Sequence, residues 1–339
     1  MANLQTSWAV KYRPSGWDSV CGQSTIVEIL RYQVATNTFK QAYLLSGKYG
    51  AGKTTCARLL AKEINGTFND IYEIDAASNN GVDQVRAIIE SSRQMPIIGK
   101  YKVFILDESH LTTAAGWGSW LKMLEEPPKT AIFIFATTDP QKMPNTVLSR
   151  IQRYDFTSIP LDEVVNRLKY IAAEESVNID DASIRFIAKQ ADGSLRDAIN
   201  YMEKCYALNN IIDINCVVKT LGIASYEEQL RLLNAIVDKR ADEAISLISH
   251  VYDSGKDLKK FMSQFMYCVC DVCNYFVFNS FEYISIPELP EYKEQILKLN
   301  MKKCLPVLEW SKNVTSQIRG NNSPKNAILV EVMLCMQST

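Results

Sequence analysis

The run Gly47-Lys48-Tyr49-Gly50-Ala51-Gly52-Lys53-Thr54 constrains this chain more than any other feature. It matches G-x-x-x-x-G-K-[ST] in full, a pattern that requires a strand before it and a helix after it. Both flanks are present. The apolar run Ala42–Leu45 precedes the loop, and the apolar helical stretch Thr55–Ile64 follows and closes at Asn65-Gly66. Glycines let backbone N–H groups turn inward around phosphate oxygens, where a Cβ would block the path. The helix N-terminus adds partial positive charge. Gly47, Gly50, Ala51, Gly52, Lys53, Thr54 and Thr55 are therefore the expected contacts to ATP. Lys53 should reach the β- and γ-phosphates, and Thr54 should ligate Mg2+.

Around this loop, short β-branched runs alternate with helical stretches. Candidate strands are Ala42–Leu45, Ile71–Ile74, Lys102–Leu106, Ala131–Ala136 and Tyr154–Ile159. The third and fourth are apolar without alternation, as fits strands buried on both faces of a parallel sheet. An α/β fold follows, with helices on both faces of the sheet. After Pro160 the pattern changes to short helices without a strong strand. Gly222 and the small residues around Ala224 mark a boundary, and from Tyr226 the chain reads helical again. Ser254-Gly255 breaks that pattern, a long helix should start near Asp257, and further breaks fall at Ser285–Pro290 and Asn321–Pro324. The expected domains are an ATPase domain over 1–159, a helical lid over 160–223 and an all-α domain over 224–339. The length of 339 residues agrees with two to three domains. No fixed-period repeat is visible.

Lys102-Val-Phe-Ile-Leu-Asp107-Glu108 puts two carboxylates at the end of a buried strand. Ligands in open α/β sheets bind beyond the carboxyl ends of the strands. Asp107 fits the metal-linked carboxylate of phosphate-loop ATPases, and Glu108 is placed to polarise a water for attack on the γ-phosphate.

Charge narrows the partners. Lys plus Arg number 37 and Asp plus Glu 38, a net charge of -1, which excludes a wholesale basic coat for nucleic acid but not a local basic face. No apolar run reaches the roughly 18 residues of a membrane helix, so no membrane partner is expected. The start Met1-Ala2-Asn3-Leu4-Gln5 lacks the basic and apolar regions of a secretory signal. Nine scattered cysteines cannot all pair internally, and a reducing, cytoplasmic compartment is the simplest expectation.

With these residues in hand, the chain resembles the ATPase subunits of DNA polymerase clamp loaders, which are AAA+ proteins. It is most similar to the bacterial gamma/tau subunits of DNA polymerase III. The resemblance runs from about Trp8 into the C-terminal helices. Lys11-Tyr12-Arg13-Pro14 followed by Cys21-Gly22-Gln23 looks like the family's adenine-side segment. Asp107-Glu108-Ser109-His110 stands where the family has Asp-Glu-Val-His. Ala136-Thr137-Thr138-Asp139-Pro140 is similar to its sensor strand end. Leu148-Ser149-Arg150 resembles its Ser-Arg-Cys element, and Gly193-Ser194-Leu195-Arg196-Asp197 its second sensor.

The resemblance implies roles. Tyr12, Arg13 and Pro14 would contact the nucleotide, or else form a tether packed on the domain. Thr138 would donate toward the γ-phosphate or the attacking water. Arg196, just inside a helix that Ser194 and Asp197 start at capping-box spacing, would reach the ATP of its own subunit. Arg150 would complete the neighbouring subunit's site, acting in trans. The implied catalytic set is Lys53, Asp107, Glu108, Thr138, Arg150 and Arg196.

There are departures from the family pattern. Ile151 replaces the cysteine of Ser-Arg-Cys, and Ser109 replaces a valine. The relatives' four-cysteine zinc module lies between Glu63 and Ile71, where this chain has no cysteine, so no zinc is expected. The chain ends after one C-terminal helical domain, as a compact relative from a virus or a divergent replicon would.

Cys268, Cys270 and Cys273 have a metal-like spacing, but they do not share one helix face and read as buried small hydrophobes. No catalytic or metal role is expected for His110 or His250. The segment from Ala76 to Arg86 starts a helix with hydroxyls and amides suited to DNA phosphates. By resemblance Arg86 is the leading DNA contact, with Asn80 and Gln84 behind it; a solvated helix face is the alternative. The helices from Tyr226 onward resemble the family's collar, and Trp310 would suit an interface or a core equally.

The expected function is that of an ATP-driven clamp-loader subunit. Its partners would be other loader subunits in a pentameric spiral with several copies of this chain, a sliding clamp and primer–template DNA. A bacterial source would place it in the cytoplasm, a viral one in the host's. The rivals are another AAA+ DNA motor for branch migration or helicase loading, a two-lobed helicase, and a nucleotide-sensing scaffold.

Overall fold

The computed structural model describes residues 6–222, 226–281, 292–317 and 324–338. The chain divides into two compact units, Met1–Ile214 and Asn215–Thr339.

In the first unit, helices α1 (Trp8–Lys11) and α2 (Ser24–Ala35) precede a five-stranded parallel sheet. Its strands are β1 (Ala42–Gly47), β2 (Ile71–Asp75), β3 (Lys102–Asp107), β4 (Ala131–Thr137) and β5 (Gln152–Phe156), in the order β2-β3-β4-β1-β5. Crossover helices α3 (Lys53–Asn65), α4 (Val82–Ser92), α5 (Ala114–Glu125) and α6 (Asn145–Leu148) connect them. The first four strands start where their apolar runs start. Each then extends past the apolar stretch into polar residues, because the main-chain ladder continues: Ser46 pairs with Thr137 and Asp75 with Asp107. Of those extra residues, Asp107 lines the pocket described below. The fifth strand lies earlier than the expected Tyr154–Ile159. Thr157 leaves the ladder because the Gln23 side chain bonds both its N–H and its carbonyl.

Two apolar layers cover the sheet. Leu30, Cys56 and Leu60 of α2 and α3 pack on Tyr43, Leu45, Ile105 and Ile134. Val85, Trp117 and Trp120 of α4 and α5 pack on Leu44, Phe104, Phe133 and Phe135. Helix α3 begins at Lys53, two residues before the expected start, and Gly66 ends it at φ 70 with its N–H on the Lys62 carbonyl. Between α3 and β2, Asn65 and Asp70 are buried. Asn65 accepts from the Tyr101 N–H, and the Asp70 carboxylate accepts from the N–H groups of Ile97, Ile98 and Gly99.

Beyond the sheet follow α7 (Leu161–Glu174), α8 (Asp181–Gln190) and α9 (Leu195–Leu208). The two-residue strands β6 (Asn178–Ile179) and β7 (Ile211–Ile212) pair in parallel, a feature too short to read from sequence. Asp180 and Ser194 cap α8 and α9 through their side chains.

Helix α10 (Ile214–Leu221) leads into the second unit, built from α11 (Tyr226–Val237), α12 (Ala241–Asp253), α13 (Leu258–Phe278), α14 (Lys293–Ile296), α15 (Met301–Gln317) and α16 (Pro324–Ser338). Asp257 caps α13 by accepting from Lys259 and Lys260 N–H groups. Trp310 is a core residue here, edge-on to Phe265. Cys268 and Cys273 lie in the same core, and burial pushes the Cys273 thiol up to about 11. The boundary at Ala224 and the breaks at 285–290 and 321–323 fall outside the described residues. Among the described residues no helix is long and apolar enough to cross a membrane, and no three His, Cys, Asp or Glu residues are grouped to hold a metal.

Candidate functional site

The phosphate loop leaves β1 at the point where the strand order reverses, which is where open α/β sheets bind ligands. Gly47 and Gly50 both have positive φ, and both are sterically required. A Cβ at Gly47 would meet the Phe156 carbonyl, and one at Gly50 would meet Ser194 Oγ. At these two positions the loop backbone packs too closely on its neighbours for a side chain. Lys53 is buried, and its Nζ donates to the carbonyls of Gly47 at 2.9 Å and Lys48 at 2.8 Å. Burial lowers its pKa, while the nearby Glu108 and Asp107 charges oppose that shift. Ala51 is buried beneath the loop.

The acidic pair sits beside it at the end of β3. Thr54 Oγ1 donates to Asp107 Oδ2 at 2.9 Å, and the Glu108 N–H donates to Asp107 Oδ1 at 3.0 Å. Glu108 adopts a left-handed backbone, φ 46, which turns its side chain away from the strand line. Thr138 Oγ1, from the end of β4, donates to Glu108 Oε2 at 2.9 Å. Ser109 is fully buried and donates to the Ala136 carbonyl at 3.0 Å. The hydroxyl of Thr54 and the carboxylate of Asp107 form a hard oxygen pair next to the loop. That donor set fits Mg2+ carried on a nucleotide triphosphate.

One pocket gathers most of the remaining expected residues. Tyr12, Arg13, Pro14, Gly50, Gly52, Lys53, Thr54, Thr55, Asp107, Glu108 and Arg196 all line it. The N-terminal segment is tethered to the domain and also lines the pocket. The Tyr12 hydroxyl donates to Glu175 at 2.7 Å, and Arg167 donates to the Tyr12 carbonyl at 2.9 Å, tethering the segment to α7. Arg13 faces the pocket with Arg58, Glu73, Arg196 and Asp107 as charged neighbours. Burial first, then the Arg58 and Arg196 charges, lower its pKa. Among the described residues its guanidinium has no ion-pair partner, so an anion would relieve it.

Other lining residues escaped the sequence reading. Tyr49 lies under the Arg196 guanidinium at 5.2 Å, and Arg58 pairs with Glu73. Arg58 had one signal, since it follows Thr54 by four positions on the same helix face. Glu73 had none.

Arg150 is absent from its own chain's pocket lining. Its side chain is 36% exposed and bonds the Thr146 carbonyl at 2.7 Å and Glu125 at 2.8 Å. Ile151 beside it is buried in the core. Asn80 precedes α4, Gln84 and Arg86 lie near its start, and none of the three lines the pocket. Gln84 and Arg86 are exposed, the Arg86 guanidinium meets Asp83 at 3.5 Å, and the Asn80 carbonyl accepts from Thr113.

A parallel sheet in this order, with a phosphate loop after β1, an acidic pair after β3 and a helical lid, defines an AAA+ ATPase fold. The same fold is seen in the Thermotoga maritima RuvB Holliday junction branch migration motor. That likeness has a TM-score of 0.53 at 21% identity, over 75% of this chain and 90% of that one. Three family models match in succession: DNA polymerase III, delta subunit at 64–160; DNA polymerase III clamp loader subunit, ATPase lid domain at 163–204; and DNA polymerase III subunits gamma and tau domain III at 212–334. The DNA polymerase III subunit gamma of Buchnera aphidicola is 32% identical over 76% of this chain and 78% of its own length. The subunit tau of Bacillus subtilis is 34% identical over 78% of this chain, and the gamma/tau subunit of Mycoplasma genitalium 32% over 86%. The chain spans about half the length of these last two, 51% and 52%. This chain belongs to the gamma/tau family of DNA polymerase III clamp-loader subunits.

Proposed function

We propose that the chain hydrolyses ATP as a motor subunit of a complex that loads a ring-shaped sliding clamp onto primed DNA. The observation that carries this reading is the convergence of Lys53, Thr54, Asp107 and Glu108 in one pocket, with Thr138 bonded to Glu108. Lys53 leaves the loop carbonyls to hold the β- and γ-phosphates. Mg2+, when bound with the nucleotide, neutralises phosphate charge, and Thr54 and Asp107 are the residues that hold it. Glu108 takes a proton from water as the water oxygen bonds the γ-phosphorus. The bond to the β,γ-bridging oxygen breaks, and its electron pair leaves with ADP. Thr138 orients Glu108, and Arg196 meets the phosphates from the lid.

Arg150, exposed on its own chain, stabilises the transferring charge in a neighbouring copy. A site completed in trans fires only in the assembly, a pentameric spiral with several copies of this chain. Primer–template DNA is gripped by phosphate contacts at Arg86, with Asn80 and Gln84, and that affinity falls as salt rises. The proposed setting is the cytoplasm, without a membrane partner. The match of residues 212–334 to gamma and tau domain III supports this reading over a branch-migration or helicase-loading motor. A two-lobed helicase needs a second parallel sheet, and none occurs in the second unit among the described residues. A nucleotide-sensing scaffold would not need the Glu108–Thr138 pair.

The test is ATP turnover by the chain alone, with a sliding clamp, and with clamp plus primed DNA. Stimulation by clamp and primed DNA together is expected. Flat turnover across all three conditions would exclude the loader reading.

A further inference from the structure

We propose that His110 is a positioning residue for Glu108: Thr137 fixes the ring with Nδ1 unprotonated, and the ring confines the carboxylate to the direction in which Thr138 bonds it. This rests on the reading of Glu108 as the group that activates water. Thr137 is fully buried at the end of β4. Its Oγ1 accepts from the Asp139 N–H at 3.1 Å. The hydroxyl still has one proton to donate, and the group beside it is His110 Nδ1 at 2.9 Å, a contact whose direction depends on the ring tautomer. A buried hydroxyl proton without an acceptor is costly, so Thr137 donates and the ring proton lies on Nε2.

That assignment decides what the next contact is. His110 Nδ1 lies 3.4 Å from Glu108 Oε2. With no hydrogen on Nδ1, no bond forms between it and Oε2, and the ring acts there as a wall, not as a donor. Oε2 keeps its bond from Thr138 at 2.9 Å. The wall has work to do because the left-handed backbone of Glu108 projects its side chain from a short turn. The ring itself is only 10% exposed, in the turn after β3 and bonded to Thr137 at the end of β4.

The experiment compares His110→Ala, His110→Asn and His110→Gln with Glu108→Gln in the same chain. Asn offers its side-chain oxygen near the position of Nδ1, and Gln does not. Expected for His110→Ala is a fall in kcat of roughly ten- to a hundredfold with the dissociation constant for a non-hydrolysable ATP analogue unchanged. Asn should restore most of the loss and Gln little. In the unaltered chain, nitrogen NMR should record an unprotonated Nδ1 at His110. The chain has 2 histidines, so His250→Gln suffices for assignment. A wild-type kcat in His110→Ala, equal behaviour of Asn and Gln, or a protonated Nδ1 overturns the proposal. The NMR result decides even if His110→Ala does not fold. If Glu108→Gln itself retains turnover, the reading of Glu108 fails, and that failure is separate from this one.

Discussion

The two units bury different things. The first keeps polar groups inside, and Ser46, Lys53, Ser109 and Thr137 ring the carboxyl ends of its central strands. The second packs mainly hydrocarbon, aromatic rings and thiols, among them Phe261, Met262, Phe265, Cys268, Cys304 and Cys335, with Gln229, Asp271 and Ser311 as its buried polar side chains among the described residues. Burial pushes the Cys304 thiol up to about 12 and that of Cys335 to about 11, so both are packing groups without thiolate reactivity. Burying a polar group costs free energy unless a partner meets it. A domain that gathers such groups at one end of its sheet holds them for chemistry, and a mainly apolar interior in which they are few holds shape. Substitutions should therefore separate: changes around the first unit's polar set alter turnover, and changes in the second unit alter stability.

The largest expected effect lies at the edge of this division. Arg150→Ala should cut turnover in the assembly by about 10³-fold or more. It should leave nucleotide affinity intact, and stability should change by no more than about 1 kcal/mol, because the Glu125 pair it loses is solvent-exposed. Nucleotide titration of the isolated chain and turnover in the assembly are the two measurements. Loss of binding by the isolated chain would mean that Arg150 serves its own site, and the split between chemistry and structure would fail there.

Phe265→Ala probes the other side. The ring is wholly buried and edge-on to Trp310, with centroids 6.2 Å apart. Removing it should cost about 3–5 kcal/mol of unfolding free energy. ATP affinity measured well below the melting temperature should stay unchanged. An affinity that falls in step with stability would show that the second unit's core does more than hold shape.

Legibility in the sequence followed the same division. The phosphate loop and the acidic pair could be read because each is local: spacing alone places Lys53, Thr54, Asp107 and Glu108 at strand ends. The four apolar strands could be read for the same reason. What could not be read depended on side chains meeting across the fold. Gln23 ends β5 early by bonding Thr157, and no periodicity encodes that. Arg13 stands among Arg58, Glu73 and Arg196 because the tether at Tyr12 carries it there. His110 looked idle beside the acidic pair, and its tie to Thr137 appears only once β3 and β4 are paired. The second unit was legible as helices from apolar spacing, but its packing partners were not.

Asp70 sharpens the comparison, because it is a buried carboxylate of the first unit that does not line the pocket. The N–H groups of Ile97, Ile98 and Gly99 hold its carboxyl below the usual range, with the Lys102 charge assisting and burial opposing. A depressed folded pKa contributes stability that is fully present above the unfolded pKa, about 4, and is lost as pH falls through the lower folded value. Asp70→Asn should therefore cost about 1–3 kcal/mol at pH 7. The gap should close as acid protonates the wild-type carboxyl. Asparagine tolerates the left-handed backbone at this position, φ 60, so the loss would report the bonds and not strain. Urea unfolding at neutral and acid pH, with turnover followed in parallel, measures both halves. A gap that does not vary with pH would rule out the charge as its source. A change in turnover larger than the change in folded fraction would place Asp70 with the functional polar groups, and burial alone would no longer tell the two kinds apart.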